Sequence, residues 1–176
     1  MQKGKRSIPM LEKLVYDAIA YPLLFILPAY VANGAPVIFG GGVPLDFGMT
    51  FRKKRIFGDH KTIRGLIAGI LGGTAIAAIE SVFMPFMLLS GIAMSFGAHA
   101  GDLLGSFLKR QANLKEGSNL PVADQYLFFV FALLFALPFD HFPDLLGIIF
   151  LTAITGLLHL YTNRTAYKLK LKKVPW

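Results

Sequence analysis

The chain has 176 residues, a length suited to one domain over 1–176. It is 55% hydrophobic and 16% charged, with a net charge of +8 and no cysteine. That excludes an ordinary soluble domain, in which about a quarter of residues are charged, and it excludes disulfides, thiolate nucleophiles and sulfur metal sites.

The charges are clumped, leaving uncharged stretches at 18–45, 65–79, 81–101, 125–139 and 145–163. A helix crossing a bilayer needs about 20 mostly apolar residues. The sequence therefore reads as an all-α integral membrane protein with about five transmembrane helices. Met1–Ser7 is basic, but the apolar run after it is too long for a signal peptide and lacks a small-residue cleavage site. Span one is expected near Lys13–Ala32. Glycine and proline crowd the next segment, 33-NGAPVIFGGGVPLDFG-48, which predicts a broken, apolar loop held at the membrane, re-entrant or on its surface.

The basic run 52-RKKR-55 follows, read as a topology signal or a lipid-headgroup contact. Span two is expected at Thr62–Ser81, with a turn at Pro85, and span three at Phe86–Leu108. The polar loop Lys109–Leu120 leads to span four, Pro121–Phe139, with Pro121 in its first turn. The turn 140-DHFPD-144 leads to span five, Leu145–Arg164, and the basic tail 168-KLKLKK-173. Positive charge thus gathers in the first-to-second loop, the third-to-fourth loop and the tail, all on one side of five spans. The positive-inside rule makes that side cytoplasmic. The net charge then speaks of the lipid bilayer, not of nucleic acid. Lys3, Lys5 and Arg6 would fall on the outer side and dissent from this topology.

Asp102 stands out inside span three, because a carboxylate at the bilayer centre costs about 2.5–3.5 kcal/mol on insertion scales. Asp102, Ser106, Lys109 and Arg110 follow i, i+4, i+7 and i+8, one helical face running to the cytoplasmic surface. The plainer reading gives Asp102 a cationic partner on another helix and leaves Lys109 and Arg110 as anchors of the helix end. Asp124 lies in the first turn of span four, where it complements the helix dipole or serves as a second carboxylate opposite Asp102. Two carboxylates and phosphate oxygens are the usual setting of Mg²⁺. Lys61 and Arg64 at the start of span two read as sharing a face, and with Thr62 they form a phosphate site at a helix N-terminus; Thr62 also fits a plain N-cap. His99 suits a bond to a backbone carbonyl. Glu80 is expected as a solvated charge near the outer surface, and Asp140, His141 and Asp144 as a capped turn.

These residues add up to a polar pocket at the cytoplasmic membrane surface: two carboxylates for a divalent metal, cations for phosphate, and lipid tails entering from the side. Such a pocket suits a reaction joining a soluble polyphosphate to a lipid phosphate. A small membrane transporter or binder of nucleotide or lipid phosphate is the alternative. An intramembrane aspartyl protease would need Gly where His99 stands, and the Asp-Gly-x-x-Ala-Arg run of CDP-alcohol phosphotransferases is not found.

The runs G101-D102, S106-F107, K109-R110, G117 and D124-Q125, preceded by G58, K61-T62, R64-G65 and N33, P36-V37, resemble the archaeal CDP-archaeol synthases. That family is similar to the phosphatidate cytidylyltransferases, although their fuller signature, with a His-Gly-Gly and a closing Asp-Arg-x-Asp, is missing here. The resemblance implies transfer of CMP from CTP to an archaeal ether-lipid phosphate, 2,3-bis-O-geranylgeranylglycerol 1-phosphate, with Mg²⁺ required and pyrophosphate released. It implies that Asp102 and Asp124 hold the metal. Lys109, Arg110, Lys115, Lys61 and Arg64 would grip phosphates. Asn33, Pro36, Thr62, Ser106 and Gln125 would line the nucleotide site.

Overall fold

The computed structural model describes residues 9–175; Met1–Ser7, with its dissenting Lys3, Lys5 and Arg6, lies outside them. The first rod runs unbroken over Met10–Phe39, 30 residues, as α1 (Met10–Val15), a widened π turn (Tyr16–Ala20) and α2 (Tyr21–Phe39). Pro22 has no N–H to give to the carbonyl four residues back, and the widened turn just before it absorbs that missing bond. After a loop and a small antiparallel hairpin, β1 (Thr50–Phe51) and β2 (Lys54–Arg55), come α3 (Ile63–Ser81), α4 (Met87–Gln111), α5 (Pro121–Ala136) and α6 (Leu145–Lys168).

The Met10–Phe39 rod, α3, α4 and α6 are long and apolar enough to cross a membrane, whereas α5 is apolar but shorter. Its 16 residues rise about 24 Å, against a hydrocarbon core of about 30 Å. The helix stops short of the expected Phe139 because Pro138 cannot continue it. The bundle is apolar outside as well as inside. Its centre holds Phe25, Ile26, Ala29, Met94, Phe128 and Leu151, while Leu71, Leu89 and Leu157 face outward.

Two expectations are corrected. The helix does not break at Asn33: α2 continues through Gly34 and Pro36 to Phe39, and the loop starts at Gly40. Glycine and proline break helices chiefly where water can take the freed backbone groups. Here α2 is packed along α3, and the Ala32 carbonyl freed by Pro36 faces Gly69 of that neighbouring helix. Gly65, Gly69 and Gly73, one turn apart on α3, are buried, and a side chain at any of them would press into Pro36, Ala32 or Pro28 of α2. That spacing of small residues is how membrane helices bring their backbones together. Glu80 is not a solvated charge either. It is 7% exposed in the last turn of α3, with no hydrogen-bond partner for either carboxylate oxygen.

At the far end of the bundle, the 140–144 turn is capped as expected. Asp144 accepts the Gly147 N–H at 2.7 Å. The His141 ring stacks on Phe86, with centroids 4.3 Å apart, and its carbonyl accepts the Tyr21 hydroxyl.

Candidate active site

The basic loops gather at the end of the bundle where α2 and α4 finish and α3 and α5 begin. The loop between α2 and α3 is built around Asp46, which is 1% exposed. Its carboxylate accepts Arg55 at 2.7 Å and the backbone N–H groups of Gly48, Phe57 and Gly58 at 2.9–3.1 Å. Burial alone would raise its pKa, but the Arg55 guanidinium and the three N–H donors outweigh it and hold the carboxyl well below its usual range. Much of the basic run is therefore structural. Arg55 also pairs with Asp59 at 2.8 Å, and Lys54 donates to the Gln111 carbonyl at the end of α4. Arg52 and Lys53 make the hairpin turn itself, both at positive φ.

This loop delivers Lys61 to α4. Lys61 Nζ donates to Asp102 Oδ2 at 2.5 Å. Thr62 is the N-cap of α3, accepting Gly65 N–H at 3.1 Å and Gly41 N–H at 3.2 Å. The cap residue is extended, so Lys61 precedes the helix and shares no helical face with Arg64. Lys61 turns to Asp102. Arg64 is exposed and borders an apolar groove of about 530 Å³ beside Phe39, Val43, Ile67 and Leu71.

A second pair completes the arrangement. Lys109 Nζ donates to Asp124 Oδ1 at 2.7 Å, with side chains 18% and 19% exposed. The other oxygen of Asp124 accepts the Leu120 N–H at 3.0 Å, so this carboxylate also caps its own helix. Asp102 feels the charge of Lys109 as well as that of Lys61, which places the two pairs in one field. Beside the first pair lies a cavity of about 40 Å³, lined by Pro36, Lys61, Thr62, His99 and Asp102 among others. It has room for water but not for a nucleotide, whose pockets run to several hundred Å³.

The remaining expected residues fall around this centre. Asn33 is half-buried on α2, about one turn from Pro36. Ser106 is buried, and its hydroxyl donates to the Asp102 carbonyl at 3.1 Å. Arg110 turns away from the pairs, donating to the Lys115 carbonyl at 2.9 Å and lying 3.9 Å from Glu116. Glu116 in turn accepts the Asp59 N–H at 2.8 Å, so the two loops are tied together. The Lys115 residue is exposed. Gln125 points to α6, its amide oxygen 3.9 Å from where a Cβ at Gly156 would stand. His99 Nε2 is buried without a hydrogen-bond partner, against Gly69. It sits near the Ala32 carbonyl that Pro36, lacking an N–H, leaves without its helical donor.

Sequence reasoning missed Asp46 and Glu116, the two carboxylates that organise the loops. The 46-DFG-48 run was the available signal for Asp46, because Asp commonly bonds the backbone N–H two residues on.

Among the described residues, no group of three or more His, Asp or Glu side chains converges on one point. A metal caged wholly by protein is therefore not what these donors suit. Mg²⁺ is more commonly held by one or two carboxylates together with substrate phosphates.

A family model described as CarS-like, CDP-archaeol synthase, matches residues 15–176. The CDP-archaeol synthase of Pyrococcus furiosus is 45% identical over 160 residues, covering 86% of this chain and 95% of that protein. The CDP-archaeol synthase of Methanopyrus kandleri is 44% identical over 158 residues, covering 88% and 91%. A solved structure described as an intramembrane enzyme for archaeal membrane lipids biosynthesis superposes with a TM-score of 0.76 and 33% identity, over 82% of this chain and 94% of that one.

Proposed function

The chain belongs to the CDP-archaeol synthase family, and from that premise we propose that it transfers CMP from CTP to 2,3-bis-O-geranylgeranylglycerol 1-phosphate, releasing pyrophosphate, with its site on the cytoplasmic side. As a member it is a membrane-embedded cytidylyltransferase of archaeal lipid synthesis. The observation that carries the finer reading is the double ion pair, Lys61–Asp102 and Lys109–Asp124, half-buried at one end of the bundle. Two cations and two anions, each matched, are what a site needs if it is to exchange partners with a nucleotide polyphosphate and its divalent counter-ion.

Asp102 and Asp124 would hold Mg²⁺, which would supply positive charge to offset that of the departing pyrophosphate. Lys61 and Lys109, once parted from their carboxylates, would turn to phosphate oxygens, where an ammonium acts as a mobile point charge. The lipid phosphate is already an anion, so the protein positions it and need not deprotonate it. The apolar groove beside Arg64 offers isoprenoid chains a place at the membrane, with a guanidinium at the depth of the headgroup.

The test is pyrophosphate release by the purified protein in detergent, with CTP, Mg²⁺ and the lipid phosphate, each omitted in turn. Release that requires all three, with CTP preferred over ATP, is expected. No release from folded protein would overturn the assignment and favour a binder or transporter.

A further inference from the structure

The tail after α6 reads in sequence as a basic topology signal, but its lysines differ. Lys168, Lys170 and Lys173 are exposed, while Lys172 is half-buried. The chain turns back after Lys168, with the Leu171 and Lys172 N–H groups donating to the Ala166 carbonyl. Val174 thereby comes to lie 3.9 Å from the Cβ position of Gly117, in the loop between α4 and α5. Lys172 Nζ donates to Asn163 Oδ1 at 2.6 Å, and the Asn163 amide lies 3.1 Å from the His159 ring. Asn163 is 8% exposed, so this anchor is set inside the bundle.

The His159 ring stacks on Phe128, with centroids 6.5 Å apart. Phe128 is four residues beyond Asp124, on the same face of α5. The chain of contacts Lys172–Asn163–His159–Phe128 thus brings the tail to the face of α5 that carries Asp124. Electrostatics agrees. Burial holds the Lys172 ammonium below its usual range, Lys61 and Lys109 push it the same way, and Asp124 and Asp102 oppose them. All four charges of the double ion pair act on this one side chain.

We propose that Lys172, positioned by Asn163 and His159, is a third lysine of the active site and binds a phosphate oxygen of the nucleotide or of the lipid. The proposal rests on the cytidylyltransferase reading above. A half-buried cation fixed on a side-chain relay fits a site that must gather a triphosphate and a lipid phosphate in one place. Topology alone gives no reason to bury it.

The experiment uses the full chain in detergent micelles. Pyrophosphate release is measured for wild type, Lys172→Met, Lys172→Arg and the exposed control Lys173→Met, varying CTP and the lipid phosphate separately. Loss of a charge-assisted bond predicts a KM raised about tenfold or more for one substrate, with Arg restoring part of it and Lys173→Met unchanged. A rise for CTP, matched by weaker equilibrium CTP binding, places the contact on the nucleotide; a rise for the lipid alone places it on the lipid phosphate. In parallel, wild-type protein is acylated with a lysine reagent and mapped by mass spectrometry. Saturating substrate is expected to protect Lys172 but not Lys173, a readout independent of whether any variant folds. Unchanged KM values in Lys172→Met, or equal labelling of Lys172 with and without both substrates, would overturn the proposal. An inactive wild type would instead bring down the reading beneath it.

Discussion

Asp102 and Asp124 are chemically alike but differently held. Asp102 faces one lysine from a loop, whereas Asp124 both pairs with Lys109 and caps its own helix. Replacing either with Asn keeps the shape and removes the charge. We expect turnover to fall by about 10²-fold or more in each, while the Asp124 variant also loses a little thermal stability through its cap; paired activity and melting measurements check both. Full activity in either variant would end that residue's metal role. Asp46 makes a sharper structural case. Its truncation to Ala strands three N–H donors and leaves Arg55 with Asp59 alone, at a cost of about 2 kcal/mol or more in local stability, seen as faster hydrogen exchange over residues 40–61. Because its carboxyl is held below the usual range, its contribution is complete above the ordinary value of about 3.9 and is lost only as pH falls through the lower, folded one. The loop should therefore keep its exchange protection at pH 4 and open in stronger acid. The sequence announced Asp102, Asp124, Lys61 and Lys109 because charge is costly in an apolar chain. It could not announce which lysine serves which aspartate, since 41 and 15 residues separate the partners and only packing decides.

Among the elements, α4 and α5 approach most instructively. A Cβ at Gly101 would stand 2.5 Å from the Leu127 carbonyl carbon, and one at Gly97 would stand 2.9 Å from that of Phe131, whereas at Gly105 the nearest atom is a Leu127 methyl at 3.4 Å. Backbone cannot yield as a side-chain tip can. Gly97→Ala and Gly101→Ala should each cost about 1–3 kcal/mol, and Gly105→Ala should be neutral or gain up to about 1 kcal/mol of helix propensity; thermal unfolding in detergent separates the three. The helix boundaries that sequence reasoning placed wrongly have the same physical origin. Rules about Gly34 and Pro36 are learned from helices in water, and α2 is not in water. The pairing of Lys61 with Arg64 assumed a helix that begins two residues later.

For the whole molecule, the alternation of apolar runs and the one-sided charge made the membrane bundle readable in advance, apart from α5 being short. The side on which the loops lie can be read directly, because the chain has no cysteine and any introduced thiol is the sole target. Single cysteines at the exposed positions Asn113 and Lys170 should resist an impermeant maleimide in intact cells, and one at Asp140 should react. The reverse pattern would place the site outside.

The double ion pair has a thermodynamic consequence. At rest the double ion pair is two internal salts whose own formal charges sum to zero. Before a carboxylate can accept a divalent cation alone, Lys61 or Lys109 must give it up and stand unmatched; before a lysine can accept a polyphosphate alone, an aspartate must do the same. If both guests came together, the exchange would be a double displacement that orphans neither member of either pair. Each guest would then raise the affinity for the other by the same factor, as linkage requires. The resting protein would then discriminate against free metal and free nucleotide alike without any moving gate.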